Sequence, residues 1–239
     1  QIIFFGALLS AIKSTSSATL LAPTTSFVEN ILKQIRPGMS DKQSLVAMRV
    51  TLVVFAFASP AHALDEFAID VHGITAMDVG ASTGGFTDVL LQRGATAVYA
   101  IDVGYGILDY SLRADPRVIV MERTNIRYVT ELPAAAHAQC PPVAAVIDVA
   151  FISLNIVLPA VFQLIDPTGW VVALIKPQFE VGKERVGKNG VVRDPALHEE
   201  VCATIGDWVA EQGWTVQGVT PSPITGPAGN VEFLIGAVK

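Results

Sequence analysis

Short apolar runs alternate with amphipathic segments from residue 64 to the end of the chain. Runs of apolar residues predict strands over 74–79, 97–101, 117–122, 143–149, 169–175, 215–220 and 231–238. Helical spacing predicts helices over 64–69, 87–93, 105–112, 154–165 and 195–213. A segment rich in Pro and Gly separates the last two strands and predicts a hairpin. The alternation predicts an α/β fold with a mostly parallel sheet, right-handed crossovers and an antiparallel end.

Residues 1–63 give a weaker pattern, and we expect an N-terminal extension there, followed by one domain over 64–239. The apolar residues 1–12 are too few to span a bilayer, and residues 26–35 fit one short amphipathic helix. Residues 48–63 combine a basic residue, an apolar run and an Ala-His-Ala ending, as a bacterial secretion signal does. A strand or a buried helix covering the core is the alternative for that stretch.

A glycine-rich turn joins the first predicted strand to the first long helix. Asp78 lies near the end of the strand, and Gly80-Ala-Ser-Thr-Gly-Gly-Phe86 follows it. Glycines allow a sharp turn and let a ligand approach the backbone, and the start of the helix offers free N–H groups. Asp102 ends the next strand, where a carboxylate can accept hydrogen bonds from two ribose hydroxyls. The pattern favours a nucleoside-containing ligand, with a tight turn that binds nothing as the alternative.

The spacing of the glycines and the acid beside them distinguish between two kinds of nucleoside-containing ligand, a dinucleotide and S-adenosylmethionine. A dinucleotide site has Gly-x-Gly-x-x-Gly and rests phosphate on the helix start, whereas this chain has Gly80, Gly84 and Gly85. Asp78 would repel phosphate and suits a cation. S-adenosylmethionine (SAM) carries an ammonium and a sulfonium and no phosphate, so it is favoured over NAD. The predicted contacts are Asp78, Gly80, Ser82, Thr83, Gly84, Gly85, Phe86 and Asp102.

Three further charged residues lie at the ends of predicted strands. Asp148 ends the fourth strand, Lys176 ends the fifth, and Glu232 opens the last. Burial lowers the pKa of a lysine and a neighbouring acid raises it, so a lysine balanced in this way could deprotonate a hydroxyl. Since ligands of such sheets bind at the carboxyl ends of strands, we expect these residues to share one site with Asp78 and Asp102. Solvated charges at strand ends are the alternative.

Composition and charge narrow the classes of function. The chain has 51% hydrophobic and 16% charged residues, as a globular protein does, and its net charge of −6 excludes a basic footprint over the whole surface. Residues 176–193 are locally basic, with five basic and two acidic residues. Phosphate contacts are therefore predicted for Lys183, Arg185, Lys188 and Arg193, with a solvated loop as the alternative. The two cysteines and four histidines lack the spacing of a metal site.

Six motifs taken together resemble the TlyA family, also labelled hemolysin A, which contains FtsJ-like rRNA 2′-O-methyltransferases. They are Asp78 to Phe86, Arg123-Thr-Asn125, Asp148-Val-Ala-Phe-Ile-Ser-Leu, Lys176-Pro-Gln-Phe-Glu, Gly190-Val-Val-Arg-Asp-Pro-x-x-His198 and Gly229-Asn-x-Glu232-Phe. The resemblance covers about residues 64–239. It implies a Rossmann-like class I SAM-dependent methyltransferase fold, with a mostly parallel seven-stranded sheet and an antiparallel last strand. It also implies methylation of a ribose 2′-hydroxyl in ribosomal RNA or ribosomal subunits, in the cytoplasm and without stable membrane association.

FtsJ-like enzymes use a Lys-Asp-Lys-Glu tetrad, and Asp148, Lys176 and Glu232 match its last three members. The resemblance further implies that Asp148 lies beside the sulfonium of SAM and Asn125 near its adenine. The position of the first lysine is Ser59, and Pro60 after it would disturb the expected helix. The small N-terminal RNA-binding domain of the family is not recognisable in residues 1–63. A catalytically impaired SAM- or RNA-binding relative and a membrane-active haemolysin are therefore kept as alternative functions.

Overall fold

The computed structural model describes residues 60–226 and 229–239. The strands are β1 (Thr75–Val79), β2 (Ala97–Ile101), β3 (Val118–Met121), β4 (Ala144–Ile147), β5 (Trp170–Ile175), β6 (Thr215–Pro221) and β7 (Phe233–Val238). The helices are α1 (60–66), α2 (Gly85–Gln92), α3 (Tyr110–Ala114), α4 (Leu154–Leu164), α5 (Pro177–Glu180) and α6 (Pro195–Glu211). Predictions made for residues 1–59, including the secretion-like stretch up to that point and Ser59, lie outside the described residues.

The seven strands of the described residues form one sheet in the order β3-β2-β1-β4-β5-β7-β6. Neighbouring strands from β3 to β5 pair in parallel, and β7 pairs antiparallel with both β5 and β6. The predicted α/β fold, with a mostly parallel seven-stranded sheet and an antiparallel last strand, is confirmed. The hairpin predicted for the last two strands is confirmed as well.

Helices cover both faces of the sheet because successive side chains of a buried strand point to opposite faces. In β1, Met77 and Val79 belong to one hydrophobic core cluster, together with apolar residues of α4 and α6. Ala76 belongs to the second cluster, together with residues of α1 and α2. Asp78 therefore points to the face that α2 covers, which decides its surroundings at the site.

Two predicted helices have other bounds in the structure. The helix predicted over 105–112 begins only at Tyr110, where the Asp109 side chain accepts a hydrogen bond from the Ser111 N–H. The helix predicted over 64–69 is present as residues 60–66, and Pro60 is its first described residue. Within the described ranges, no helix has the length and apolar character needed to cross a membrane.

Candidate active site

The glycine-rich loop lies directly against the end of β4. Gly80 has φ +88°, and a Cβ on it would lie 2.2 Å from the backbone oxygen of Asp148. The N–H groups of Gly80 and Ala81 both donate to the carbonyl of Ile101, at 2.8 and 3.1 Å. Only glycine meets both the conformation and the space at position 80, so the loop joins the carboxyl ends of β1, β2 and β4 into one surface.

The buried Asp78 side chain, in the strand before this loop, anchors the start of α2. It is 1% exposed, and its Oδ2 accepts hydrogen bonds from the Thr87 N–H at 2.8 Å and the Thr87 Oγ1 at 2.6 Å. Burial raises the pKa of Asp78 to about 7, against the hydrogen bonds from Thr87, which lower it. The carboxylate therefore fixes the start of α2, and it lies outside the lining of the cavity above, where a ligand contact was predicted.

Gly84 also has a structural position that differs from the predicted ligand contact. It precedes α2 with φ +99°, and a Cβ there would lie 2.1 Å from Leu112 Cδ1. The residue is therefore required for the packing of α3 on the loop and does not line the cavity.

The Asp102 carboxylate is fixed by hydrogen bonds from backbone N–H groups, one of them in the glycine-rich loop. Its Oδ2 accepts a hydrogen bond from the Ser82 N–H at 2.8 Å, and its Oδ1 accepts one from the Gly104 N–H at 2.7 Å. Ser82 adopts a left-handed φ of 49° to donate this bond. Each carboxylate oxygen has a second lone pair, so Asp102 can still accept hydrogen bonds from a pair of ribose hydroxyls.

A cavity of about 510 Å³ opens above these strand ends, within the range of small-molecule sites. It brings together most of the residues predicted from the sequence: Gly80, Ser82, Thr83, Gly85, Phe86, Asp102, Asn125, Asp148, Lys176 and Glu232. The Asn125 side chain accepts hydrogen bonds from the N–H and Nε of Arg127, both at 3.2 Å, and begins a short 3₁₀ helix over Ile126–Tyr128. Pro60, the first residue of α1 described, also lines the cavity.

Lys176 and Asp148 form an ion pair on one side of this cavity. Lys176 Nζ lies 2.5 Å from Asp148 Oδ1, and Lys176 is only 9% exposed. Burial lowers the pKa of Lys176, but the negative charges of Asp148 and Glu232 outweigh it, so the pKa lies above its ordinary value. Lys176 is therefore an ammonium at neutral pH, and it cannot act by itself as a free amine base.

Glu232 approaches Lys176 through the pairing of β5 with β7. Ile175 pairs with Phe233, which places the residue after β5 beside the residue before β7. Glu232 is 2% exposed, and burial raises its pKa to about 7, although the charge of Lys176 acts in the opposite direction. Its Oε1 is buried without a hydrogen-bond partner among the described residues. A carboxyl group with these properties can take or release a proton near neutral pH.

The sequence interpretation did not single out Phe151 as a site residue. It is 91% exposed, lines the cavity and has an uncommon left-handed φ of 64°. Its ring lies 5.1 Å from that of Phe179. In the same two segments, the Glu180 carboxylate accepts hydrogen bonds from Ser153 Oγ at 2.6 Å and the Leu154 N–H at 2.9 Å. An aromatic residue three positions after a strand-end acid is the signal that could have identified Phe151.

The predicted RNA-binding residues Lys183, Arg185, Lys188 and Arg193 are all exposed on the segment that follows α5. Arg185 differs from the others because it pairs with Glu200, at 2.6 Å. The other three form no ion pair within the described part of the chain. Asn230 anchors the segment, since its side chain accepts from the Val192 N–H at 3.1 Å and donates to the Gly190 carbonyl at 3.0 Å.

The cavity suits a positively charged nucleoside. Carboxylates of Asp102, Asp148 and Glu232 line it, and Lys176, the lysine among its described lining residues, is already paired with Asp148. This fold with this site defines the class of Rossmann-like SAM-dependent methyltransferases. A Listeria monocytogenes protein described as such an enzyme shares the fold at a TM-score of 0.56, with 16% identity, and covers 76% of this chain and 98% of its own.

The comparisons also identify the family. The FtsJ-like methyltransferase model matches residues 61–239, and the chain belongs to that family. Its relatives place it in the TlyA branch: the 16S/23S rRNA (cytidine-2′-O)-methyltransferase TlyA of Mycobacterium tuberculosis is 51% identical over 173 residues. The match covers 72% of this chain and 63% of that protein, so the chain spans about three fifths of that relative. The crystal structure of a Lactococcus lactis protein described as a hemolysin is 46% identical, with a TM-score of 0.71, and covers 76% of this chain and 86% of that one.

Proposed function

We propose that this chain transfers a methyl group from SAM to a ribose 2′-hydroxyl of ribosomal RNA. The observation that carries the proposal is the group formed by the buried Lys176 and Glu232 together with the partly exposed Asp148, which lines the same cavity as the glycine-rich loop. The relatives named as rRNA (cytidine-2′-O)-methyltransferases support ribosomal RNA as the substrate class. A ribosomal substrate is found in the cytoplasm, and we propose that location for the activity.

The residues that line one side of the cavity can be assigned to parts of SAM from their chemistry. Gly80, Ser82, Thr83, Gly85 and Phe86 surround the methionine part of SAM in this proposal, because the loop leaves its backbone accessible there. Asp102 accepts the ribose hydroxyls, Asn125 lies at the adenine, and Asp148 faces the positive sulfur. Asp78 and Gly84 act on the cofactor only through the shape of the loop. SAM itself supplies a methyl group that is already activated by the positive charge on sulfur.

The chain then has to position the 2′-oxygen and remove its proton. Lys176 donates a hydrogen bond to that oxygen and stabilises the negative charge that develops on it. Because Lys176 is already protonated, it acts as a relay: it passes one of its protons to Glu232 as it accepts the proton of the hydroxyl. Asp148 holds the ammonium in place at 2.5 Å. Most of the rate enhancement is then in-line positioning.

The basic segment after α5 supplies contacts to the RNA backbone. Among the described residues of this segment, Lys183, Lys188 and Arg193 form no ion pair and can bind phosphate directly. Arg185 is paired with Glu200, so it would bind phosphate while keeping or exchanging that partner. Contacts with phosphate position RNA without reading its sequence. They also make the affinity fall as salt is added, with a slope that reflects the number of phosphates neutralised.

The test is methyl transfer from radiolabelled SAM to purified ribosomal subunits, with SAM binding measured in parallel by calorimetry. Lys176→Met is expected to bind SAM and to lose transfer by roughly 100-fold to 10,000-fold. Lys239→Met is the matched control, since Lys239 lies at the far end of β7 over the ring of Trp214, and it should transfer at the parental rate. A Lys176→Met chain that binds SAM and transfers at the parental rate would exclude the relay.

Ser59 at the position of the first tetrad lysine favours a second candidate, a protein that binds SAM and RNA but transfers slowly. SAM binding together with RNA binding, but without transfer to ribosomal subunits, would support that candidate. The hemolysin description of a structural relative suggests a membrane-active protein. Leakage of liposomes at physiological protein concentration is the observation that would favour it.

A further inference from the structure

Exposed aromatic side chains lie on the connections that follow the strand ends at the cavity. Within the described residues, the aromatic side chains with large exposure are Tyr105 at 67%, Tyr110 at 83%, Tyr128 at 77% and Phe151 at 91%. Each of them follows the carboxyl end of β2, β3 or β4 or begins the short helix α3. Scattered surface aromatics need no explanation, but four at one edge of the sheet indicate a surface that contacts a partner.

One of these rings is covered by an arginine. The guanidinium carbon of Arg123 lies 4.0 Å from the centre of the Tyr105 ring. Arg123 has a left-handed φ of 52°, which is unusual for a bulky residue. The Arg123 N–H donates to the Gly104 carbonyl at 2.9 Å, so the connections after β2 and β3 are joined at this point. The pair is therefore held in place before any partner binds, and backbone strain of this kind is concentrated at ligand-binding sites.

A second arginine and tyrosine lie next to it on the connection after β3. The guanidinium carbon of Arg127 lies 5.2 Å from the centre of the Tyr128 ring. Neither Arg123 nor Arg127 forms an ion pair with another described residue, whereas the nearby Glu122 is already paired with Arg113 at 2.5 Å. Two guanidinium groups without an ion-pair partner in the described part of the chain thus lie beside two exposed rings, and Arg127 Nε donates to Asn125 Oδ1 at 3.2 Å. Acids elsewhere on these connections keep the local net charge close to zero.

The order of strands in the sheet gives the position of the two arginine–tyrosine pairs relative to the cavity. The connections after β2 and β3 lie on one side of the cavity, and the basic segment after β5 lies on the other. Three steps in the sheet separate β2 from β5, which is roughly 14 Å at the usual spacing of neighbouring strands. A strand of RNA that contacts both surfaces therefore crosses the cavity, and Lys176 lies on the side of the basic segment, directly after β5.

We propose that Tyr105, Arg123, Arg127 and Tyr128, the tyrosine–arginine surface, bind unpaired bases of the RNA by stacking. Single-stranded nucleic acid is recognised by aromatic rings and arginine planes on which bases stack. A duplex hides the faces of its bases, so this surface selects an unpaired stretch next to the target nucleotide. The inference rests on the proposed function, because RNA is its partner, and it adds the kind of RNA that the site accepts.

The experiment measures binding of the full chain to a short unstructured RNA and to a duplex of the same length, by fluorescence anisotropy. Tyr105→Ala and Tyr128→Ala are each expected to weaken single-strand binding by roughly five-fold to 150-fold, the range for loss of one stacked base. Tyr105→Phe and Tyr128→Phe retain the ring and should retain the affinity. Binding of SAM by all variants verifies folding, since neither tyrosine lines the cavity.

Salt dependence separates the two surfaces. Lys183→Ala and Lys188→Ala should each reduce the slope of log affinity against log salt by about 0.7, the value for one phosphate contact on a single strand. The tyrosine variants should lower the affinity and leave that slope unchanged. Equal affinity of the parent and the alanine variants would overturn the proposal, as would tighter binding of the duplex, which would leave the surface to a protein partner.

Failure of the proposed function is distinguishable from failure of this inference. If the parent transfers no methyl group to any RNA but the alanine variants still lose single-strand binding, the inference stands and the methyltransferase proposal fails. If transfer proceeds in the alanine variants with the KM for RNA of the parent, the inference fails and the methyltransferase proposal stands.

Discussion

Replacing Glu232 with glutamine is expected to flatten the dependence of the free energy of unfolding on pH. Burial raises the pKa of Glu232 from 4.5 to about 7, while in the unfolded chain the group titrates near its ordinary value. Between these values the folded chain holds a proton that the unfolded chain has released, so its stability falls as pH rises through this window. At about 1.4 kcal/mol per pKa unit, the loss due to Glu232 is about 3 kcal/mol.

The assay is urea unfolding followed by tryptophan fluorescence at about pH 4.5, where that window begins, and at about pH 8, above its upper end. The pKa of Asp78 is also raised to about 7. The stability of the Glu232→Gln chain therefore still falls as pH rises, by the amount that is due to Asp78. Relative to the parent, the variant should gain about 3 kcal/mol between the two conditions. Glu211→Gln, at the exposed end of α6, is the control and should follow the parent. Parallel curves for the parent and Glu232→Gln would refute the reasoning.

Three further changes test the loop and the tetrad. Gly80→Ala places a Cβ 2.2 Å from the Asp148 carbonyl at a φ of +88°, so SAM binding measured by calorimetry should weaken by roughly ten-fold or more. Thr87→Val removes the 2.6 Å hydrogen bond to the buried Asp78 carboxylate and should lower the free energy of unfolding by about 1–3 kcal/mol, measured in urea. Ser59→Lys places a lysine at the position that the family resemblance gives to the first tetrad lysine, next in sequence to Pro60, which lines the cavity, and should raise the kcat of methyl transfer to ribosomal subunits.

Each of these changes has an outcome that contradicts its reasoning. Gly206, on α6, has open space where a Cβ would stand, so Gly206→Ala is the control for Gly80→Ala and should bind SAM as the parent does. Equal SAM affinity in Gly80→Ala would mean that the loop does not shape the cofactor site. An unchanged urea midpoint in Thr87→Val would show that Asp78 finds another donor. An unchanged kcat in Ser59→Lys would show that the family tetrad does not extend to this position.

The sheet could be predicted from the sequence because its strands are buried on both faces. Residues 97–101 are apolar between two polar residues, and the structure has a strand with those bounds. The hairpin of β6 and β7 was predictable for a similar reason, since Pro and Gly interrupt two apolar runs. The strand-end positions of Asp102, Asp148 and Lys176 followed from the same pattern, and the structure places all three at one cavity.

Contacts between distant residues explain what the sequence did not predict. Residues 105–109 have a helical pattern but form a loop, because Asp102 and Glu122 accept hydrogen bonds from the N–H groups of Gly104 and Gly106. Asp78 was expected to face the ligand, but the alternation of β1 points it toward α2, where Thr87 donates to it. The sequence shows which acidic residues are available. Which N–H or hydroxyl group donates to each of them depends on contacts that only the folded structure shows.

The pairing of Ile175 with Phe233 has a consequence for how the reactive group is assembled. Lys176 and Glu232 are 56 positions apart in the sequence and become neighbours only when the last strand inserts between β5 and β6. A chain in which β7 has not paired with β5 thus contains the glycine-rich loop without the carboxylate that accompanies the lysine. The pairing of β7 with β5 therefore assembles the reactive group.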